Sequence, residues 1–380
     1  MVVYSVTGFS AYALLLPVAP LWAVHGGAGA AGAGLVNGVL LATTVLAQLA
    51  VPWALRTVGH GRTMALGLVL MASGAALVVS DALAWILACS IVRGVGFGIL
   101  TVTGSAVVGH LAPPQLRGRM VGVYGLAVAI PNLVLLPAGV PAVDLLGFTP
   151  VLLLAALPVL GIPSALALGR LVRPAPAAAS PEPPGSPEPA GRRGGLLAAV
   201  GPPTAVLLAA TMAGGALLTF LPQVTTSGTA GLALLLMGTA AAGSRFGAGH
   251  LADAGEQGGS QWLAPLLLVT AAGTTACAWG ARDDVTAGTA WLLVGAVLCG
   301  TGYGALQNLT LVSAFQRSGA GRVDETSTVW NVGFDGGTAL GSVLVGVVAS
   351  AWSFPAGFAV AGLGCVAALV AARATRVPVG

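Results

Sequence analysis

Ile91-Val92-Arg93-Gly94-Val95-Gly96-Phe97-Gly98-Ile99-Leu100 sets one arginine among apolar residues and follows it with glycine at every second position. The apolar run around it extends from about Leu83 to Gly109. A helix needs roughly 20 apolar residues to cross a bilayer. A guanidinium at that depth costs at least ~2.5 kcal/mol on insertion scales, so it faces a bundle interior or a wet cavity. Glycine lets a second backbone come close, or lets the helix bend. A buried charge on a helix suited to tight, adjustable packing points to a transport pathway more than to a static scaffold.

The rest of the chain has the same character. Of its 380 residues, 56% are hydrophobic and 7% are charged, against about 25% charged in soluble domains. With a mean hydropathy of +0.94, the chain belongs in a lipid bilayer. All fifteen basic residues are arginine. They account for a pI near 9.2, but most lie in short loops between apolar runs, where they orient the chain. No nucleic-acid partner is expected. Cys89, Cys277, Cys299 and Cys365 all sit in apolar runs without a CxxC pair and read as small apolar side chains.

Twelve spans are predicted, near residues 2–24, 31–55, 63–80, 83–109, 118–141, 147–170, 200–222, 229–252, 260–281, 285–312, 323–348 and 353–373. No basic residue precedes the first, so a removed signal peptide is not expected. Twelve arginines fall on one side of the membrane, only Arg282 on the other, and Arg93 and Arg245 within spans. By the positive-inside rule both termini are cytoplasmic, in a multi-pass protein of the inner or plasma membrane. Residues 171–195 hold seven prolines with Glu182, Glu188, Arg192 and Arg193, a composition that favours extended chain. They read as a cytoplasmic linker between a six-helix bundle over 1–170 and a second over 196–380.

The two halves repeat one another. Arg93-Gly94-Val95-Gly96-Phe97-Gly98 matches Cys299-Gly300-Thr301-Gly302-Tyr303-Gly304, and Val123-Tyr124-Gly125 matches Val329-Trp330-Asn331, both at an offset of 206 residues. Duplicated halves are typical of secondary transporters, which hold solute between the repeats near the midplane. Since each chain supplies both halves, a monomer is expected.

Several of these stretches resemble the major facilitator superfamily. Gly249-His250-Leu251-Ala252-Asp253, with Arg245 before it, is similar to the family's motif between the second and third helices of each half. The first-half copy, Arg56-Thr57-Val58-Gly59-His60-Gly61-Arg62, has lost the acidic position. Arg93-Gly94-x-Gly96-x-Gly98 resembles the family's fourth-helix motif, whose arginine is linked to proton coupling. Pro113-Pro114-Gln115-Leu116-Arg117-Gly118-Arg119 is similar to its fourth-to-fifth loop. The antiporter motif of the fifth helix is not intact; Gly125, Pro131, Pro137 and Gly139 echo it loosely. The resemblance implies an all-α integral membrane fold of twelve helices in two pseudo-symmetric bundles. It also implies that Asp253 meets the N-terminus of the fifth span near Gly118, where a carboxylate gains ~0.3–1 kcal/mol from the helix dipole. That contact would gate the cytoplasmic side, with Gly249 and Arg245 beside it. The alternatives are an ordinary loop aspartate and a snorkelling arginine.

Asp335 lies twelve residues into its span, about 18 Å along it at 1.5 Å per residue. Arg93 has a similar depth. Low dielectric disfavours the charged carboxylate and a nearby arginine favours it. Asp335 is therefore read as the proton-coupling carboxyl with Arg93 tuning it, as a site for a cationic solute, or as half of a static pair with Arg93. Asn331 precedes Asp335 by one turn. Gln307, Asn308, Asn132 and Asn37 are further candidates for the solute cavity, with helix-helix contact as the alternative. Tyr124, Tyr303 and Trp330 are candidates for its aromatic wall.

No nucleotide-phosphate loop occurs, and His25, His60, His110 and His250 have no metal-ligand spacing, so neither cofactor nor metal is expected. An enzyme is not expected, for want of convergent polar groups. The expectation is a secondary transporter working by alternating access, with proton-coupled export of a small, largely apolar organic molecule. The alternatives are a passive facilitator or proton symporter importing a metabolite and, in another class, a non-transporting receptor or scaffold.

Overall fold

The computed structural model describes residues 1–28, 30–172, 191–254, 259–282 and 287–375. The proline-rich run from 173 to 190, with Arg173, and the tail bearing Arg376 lie outside them. Among the described residues the regular structure is entirely helical. In chain order the helices are α1 (Val2–His25), α2 (Ala30–Val58), α3 (His60–Val79), α4 (Leu83–Leu111), α5 (Arg117–Leu146) and α6 (Phe148–Leu171). They continue as α7 (Gly191–Val224), α8 (Ser227–Ala254), α9 (Leu263–Gly280), α10 (Gly288–Ser318), α11 (Val323–Ala351) and α12 (Phe354–Thr375).

Eleven of these helices have the length and hydropathy to cross a membrane. The exception is α8, whose 28 residues include Arg245, His250 and Asp253 among many alanines and glycines. The sequence marks its position correctly, but its polar end dilutes the hydropathy. Two helices are locally overwound: α3 turns 3₁₀ over Ser73–Val79 and α6 over Leu154–Gly161. Helix α7 begins at Gly191, earlier than hydropathy alone indicates.

The chain divides into two compact units, one of residues 1–111 and 126–174, the other of 112–125 and 175–380. Helix α5 is thus shared: its start up to Gly125 belongs with the second unit and its remainder with the first.

Within the first unit α4 packs on α2 and α3, and α1 on α6. A methyl on Gly94 would lie 2.6 Å from the Leu40 carbonyl oxygen, and one on Gly98 would lie 2.8 Å from that of Thr44. The missing side chains therefore set the α2–α4 spacing. The core gathers Tyr4, Phe9, Leu15, Met64, Leu68, Met71, Phe97 and Leu100. The second unit repeats the plan: α10 packs on α8 and α9, and α12 on α7. Methyls on Gly300 and Gly304 would run into the carbonyl oxygens of Met237 and Ala241. Large apolar side chains face outward in both units, among them Leu46, Leu145, Val343 and Val370. That is the surface a lipid-embedded protein presents.

Candidate gate and solute site

The first backbone N–H groups of any helix lack partners inside it. At the start of α5 two of them find one on α8. Gly118 N donates to Asp253 Oδ1 at 2.7 Å and Arg119 N to Asp253 Oδ2 at 3.0 Å. The Arg119 guanidinium stands 3.7 Å from the same carboxylate, whose side chain is only 7% exposed. Hydrogen bonds to a charged group are worth ~1.5–3 kcal/mol each. The approach depends on two glycines facing each other: a methyl on Gly249 would fall 2.5 Å from the Gly118 carbonyl oxygen.

Two turns before Asp253, α8 supplies Arg245. Its Nη1 donates to Gln307 Oε1 on α10 at 2.7 Å, and its guanidinium carbon lies 5.7 Å from the centre of the Tyr124 ring. The aliphatic part of Arg245 crosses α5 at Gly125, where any side chain would collide with it. Asn308 Nδ2 bridges two helices, donating to the carbonyls of Gly118 at 3.1 Å and Arg245 at 2.9 Å. Asp335 on α11 is half-buried and lies within electrostatic reach of Tyr124.

Asp253, Gly118, Gly249, Arg245, Gln307, Asn308 and Tyr124 therefore form one constellation in the second unit. Gln307 Oε1 and Asn308 Nδ2 are engaged inside it, while Asn308 Oδ1 has no hydrogen-bond partner among the described residues. Asn331 donates to Ser327 O, one turn earlier in its own helix, at 2.7 Å. Trp330 Nε1 donates to Thr310 Oγ1 at 3.1 Å, and Trp330 and Tyr303 flank Phe334 with ring centres 5.8 and 6.1 Å away. The sequence reading did not single out Gly122, and it named Gly125 and Arg119 without giving them a place in this constellation. The i, i+4, i+7 spacing of Gly118, Gly122 and Gly125, one helical face, is the signal that marks the two glycines.

The remaining candidates lie in the first unit. Asn37 Nδ2 donates to Leu16 O at 2.9 Å and so ties α2 to α1, whereas Asn132 Nδ2 donates to Val128 O at 2.8 Å, one turn earlier in its own helix. Arg93 is different. It has no solvent-accessible surface. Its Nε, Nη1 and Nη2 have no hydrogen-bond partner among the described residues. Leaving a buried charge unpaired costs ~3–5 kcal/mol.

The family model of the Major Facilitator Superfamily matches residues 1–325. The chain belongs to the major facilitator superfamily. Among solved structures it is similar to the human organic anion transporter MFSD10, at 18% identity and a TM-score of 0.73, covering 98% of this chain and 97% of that one. It is also similar to the transporter FucP in its outward conformation, at 16% identity and a TM-score of 0.72 over 99% and 98% of the two chains. The proton:xylose symporter XylE aligns at 12% identity and a TM-score of 0.71 over 97% and 93%. No significant match is found among curated proteins. The superfamily assignment makes the chain a multi-pass membrane transporter with the superfamily's twelve-helix fold, and the identities carry the likeness to these structures no further than the fold.

Proposed function

We propose that this transporter works by alternating access, coupling proton movement to export of a small, largely apolar organic molecule across the cell membrane, with both termini cytoplasmic. The observation that carries the reading is the Asp253 carboxylate bound to two backbone amides in the first turn of α5. A capped helix N-terminus, held by a charge on another helix, is a contact suited to being made and broken as a unit. Gly118 and Gly249 allow its approach, and Arg245, Gln307 and Asn308 hold α5, α8 and α10 in register around it.

Asp335 is the proposed proton carrier. It is the one carboxyl among the described residues that lies in the middle of a helix rather than near an end, and its half-burial beside Tyr124 gives it an environment that a change of conformation would alter. A second reading, import by proton symport, is favoured by one observation: two structural neighbours are described as proton symporters of sugars.

The test is transport in proteoliposomes. Asp335→Asn should abolish pH-driven solute accumulation while solute exchange at equal pH continues. Coupling that survives Asp335→Asn removes this residue from the mechanism. The sign of the pH gradient that drives accumulation separates export from import.

A further inference from the structure

We propose that Arg93 is the docking point for the carboxylate of a monoanionic, largely apolar solute. The inference rests on the transport reading and names the chemistry of the cargo.

The argument starts from charge. The first unit contains two carboxylates, Asp81 and Asp144. Asp81 sits beside His25, Oδ2 to Nδ1 at 3.3 Å, and Asp144 is exposed at the end of α5. The titratable groups whose charge Arg93 feels most are Cys89, one turn earlier on α4, and Tyr12 on α1. Neither type carries charge at neutral pH in its ordinary state. The guanidinium is thus wholly buried in a unit that offers it no anion, and three of its nitrogens are unpartnered among the described residues.

A second orphan lies on the same helix face. Ser90, three residues before Arg93, is fully buried, and its Oγ also has no partner among the described residues. Residues at i and i+3 are neighbours on a helix surface. A fork of N–H donors with a hydroxyl beside it matches a carboxylate, which accepts up to four hydrogen bonds through two oxygens.

The surroundings restrict the ligand further. Tyr12 stacks on Phe97 with ring centres 4.0 Å apart, and Phe9 meets Phe97 edge-on at 5.5 Å. Gly74 stands where a methyl would lie 3.3 Å from Arg93 Cδ and close to Leu15. The residues packed around Arg93 are apolar and aromatic with a single cation among them, chemistry that matches a flat apolar body bearing one negative charge. A dianion such as phosphate would leave one buried charge uncompensated.

The experiment measures binding to the purified full-length protein in nanodiscs, with no gradient, so its failure leaves the gate and the proton carrier untouched. The probes are naphthalene-2-carboxylate, its primary amide and inorganic phosphate. The carboxylate should bind saturably and raise the melting temperature, while the amide and phosphate should not. Arg93→Gln should weaken carboxylate binding by about ten- to a hundredfold, the size of a lost charge-assisted bond. Arg93→Lys, which keeps the charge but loses the fork, should fall between. Absence of carboxylate binding, equal binding of the amide, or full binding by Arg93→Gln would overturn the proposal. Arg93→Met should raise the ligand-free melting temperature by about 2 °C or more, since it removes an uncompensated charge. A lower melting temperature in Arg93→Met or Arg93→Gln would mean that the arginine has its own partner in the protein, and would equally overturn it.

Discussion

Helices α2 and α4 in the first unit and α8 and α10 in the second are built to one plan. Gly94 and Gly98 rest on the carbonyls of Leu40 and Thr44, and Gly300 and Gly304 rest on those of Met237 and Ala241. The glycines are 206 residues apart and the carbonyls 197. The polar bond across each pair is repeated too: Gln48 Nε2 donates to Thr101 Oγ1 at 3.2 Å in one unit, and Arg245 Nη1 to Gln307 Oε1 at 2.7 Å in the other. What differs is where each unit keeps its buried charge and whether that charge is answered. The second unit carries Arg245 in a bonded network that reaches Asp253. The first carries Arg93, at the position of Cys299, with no hydrogen-bond partner among the described residues. Packing has been kept in duplicate while the buried charges have not: one arginine donates to Gln307, and the other has no hydrogen-bond partner among the described residues.

The largest expected effect probes the shared plan. Gly304→Val drives a side chain into the Ala241 backbone, and Gly94→Val drives one into Leu40 O and Thr43. Each should cost about 3 kcal/mol, near the upper end of the cost of overpacking. Gly304→Val should be worse, because its neighbour is all backbone. Melting temperatures in detergent would show this, and equal tolerance at both sites would mean the helix pairs are looser than described.

The next probe separates the two charges. Arg245→Met strands the Gln307 carbonyl and uncovers the Tyr124 ring, and should destabilise by about 2–3 kcal/mol. The same substitution at Arg93 should not destabilise at all. Parallel melts of the two variants break the comparison if both fall alike. A smaller effect is expected of Asn308→Leu, which removes two bonds from Nδ2 to backbone carbonyls and should cost about 1–2 kcal/mol. Smallest of all, Asp81→Asn removes an exposed partner of His25 and should change stability by no more than about 0.5 kcal/mol.

Much of this arrangement is legible in the sequence, for physical reasons. Apolar length gives the spans, because a helix crosses a bilayer with every backbone group satisfied within itself. The glycine repeat gives the duplication, because close backbone contact tolerates only that residue. The Asp253–Gly118 contact follows from family resemblance together with the free N–H groups of a helix start. The targets of amide side chains were not legible. Gln307 and Asn308 read as lining for a solute cavity, and only three-dimensional packing reveals that they are committed to Arg245 and Gly118. The 3₁₀ stretches in α3 and α6 were also hidden, since apolar runs carry no mark of helical pitch. Arg93 stood out from the beginning because of its cost, but nothing in the chain order tells whether such a charge is paired.

The most direct test follows hydrogen exchange at the Gly118 and Arg119 amides in the full-length protein in nanodiscs. In the wild type both should exchange slowly at rest and faster once solute and a proton gradient drive turnover. In Asp253→Ala they should exchange fast from the start, with transport uncoupled from the gradient. Slow exchange that persists through turnover, or fast exchange in Asp253→Ala with coupled transport intact, would contradict the gate.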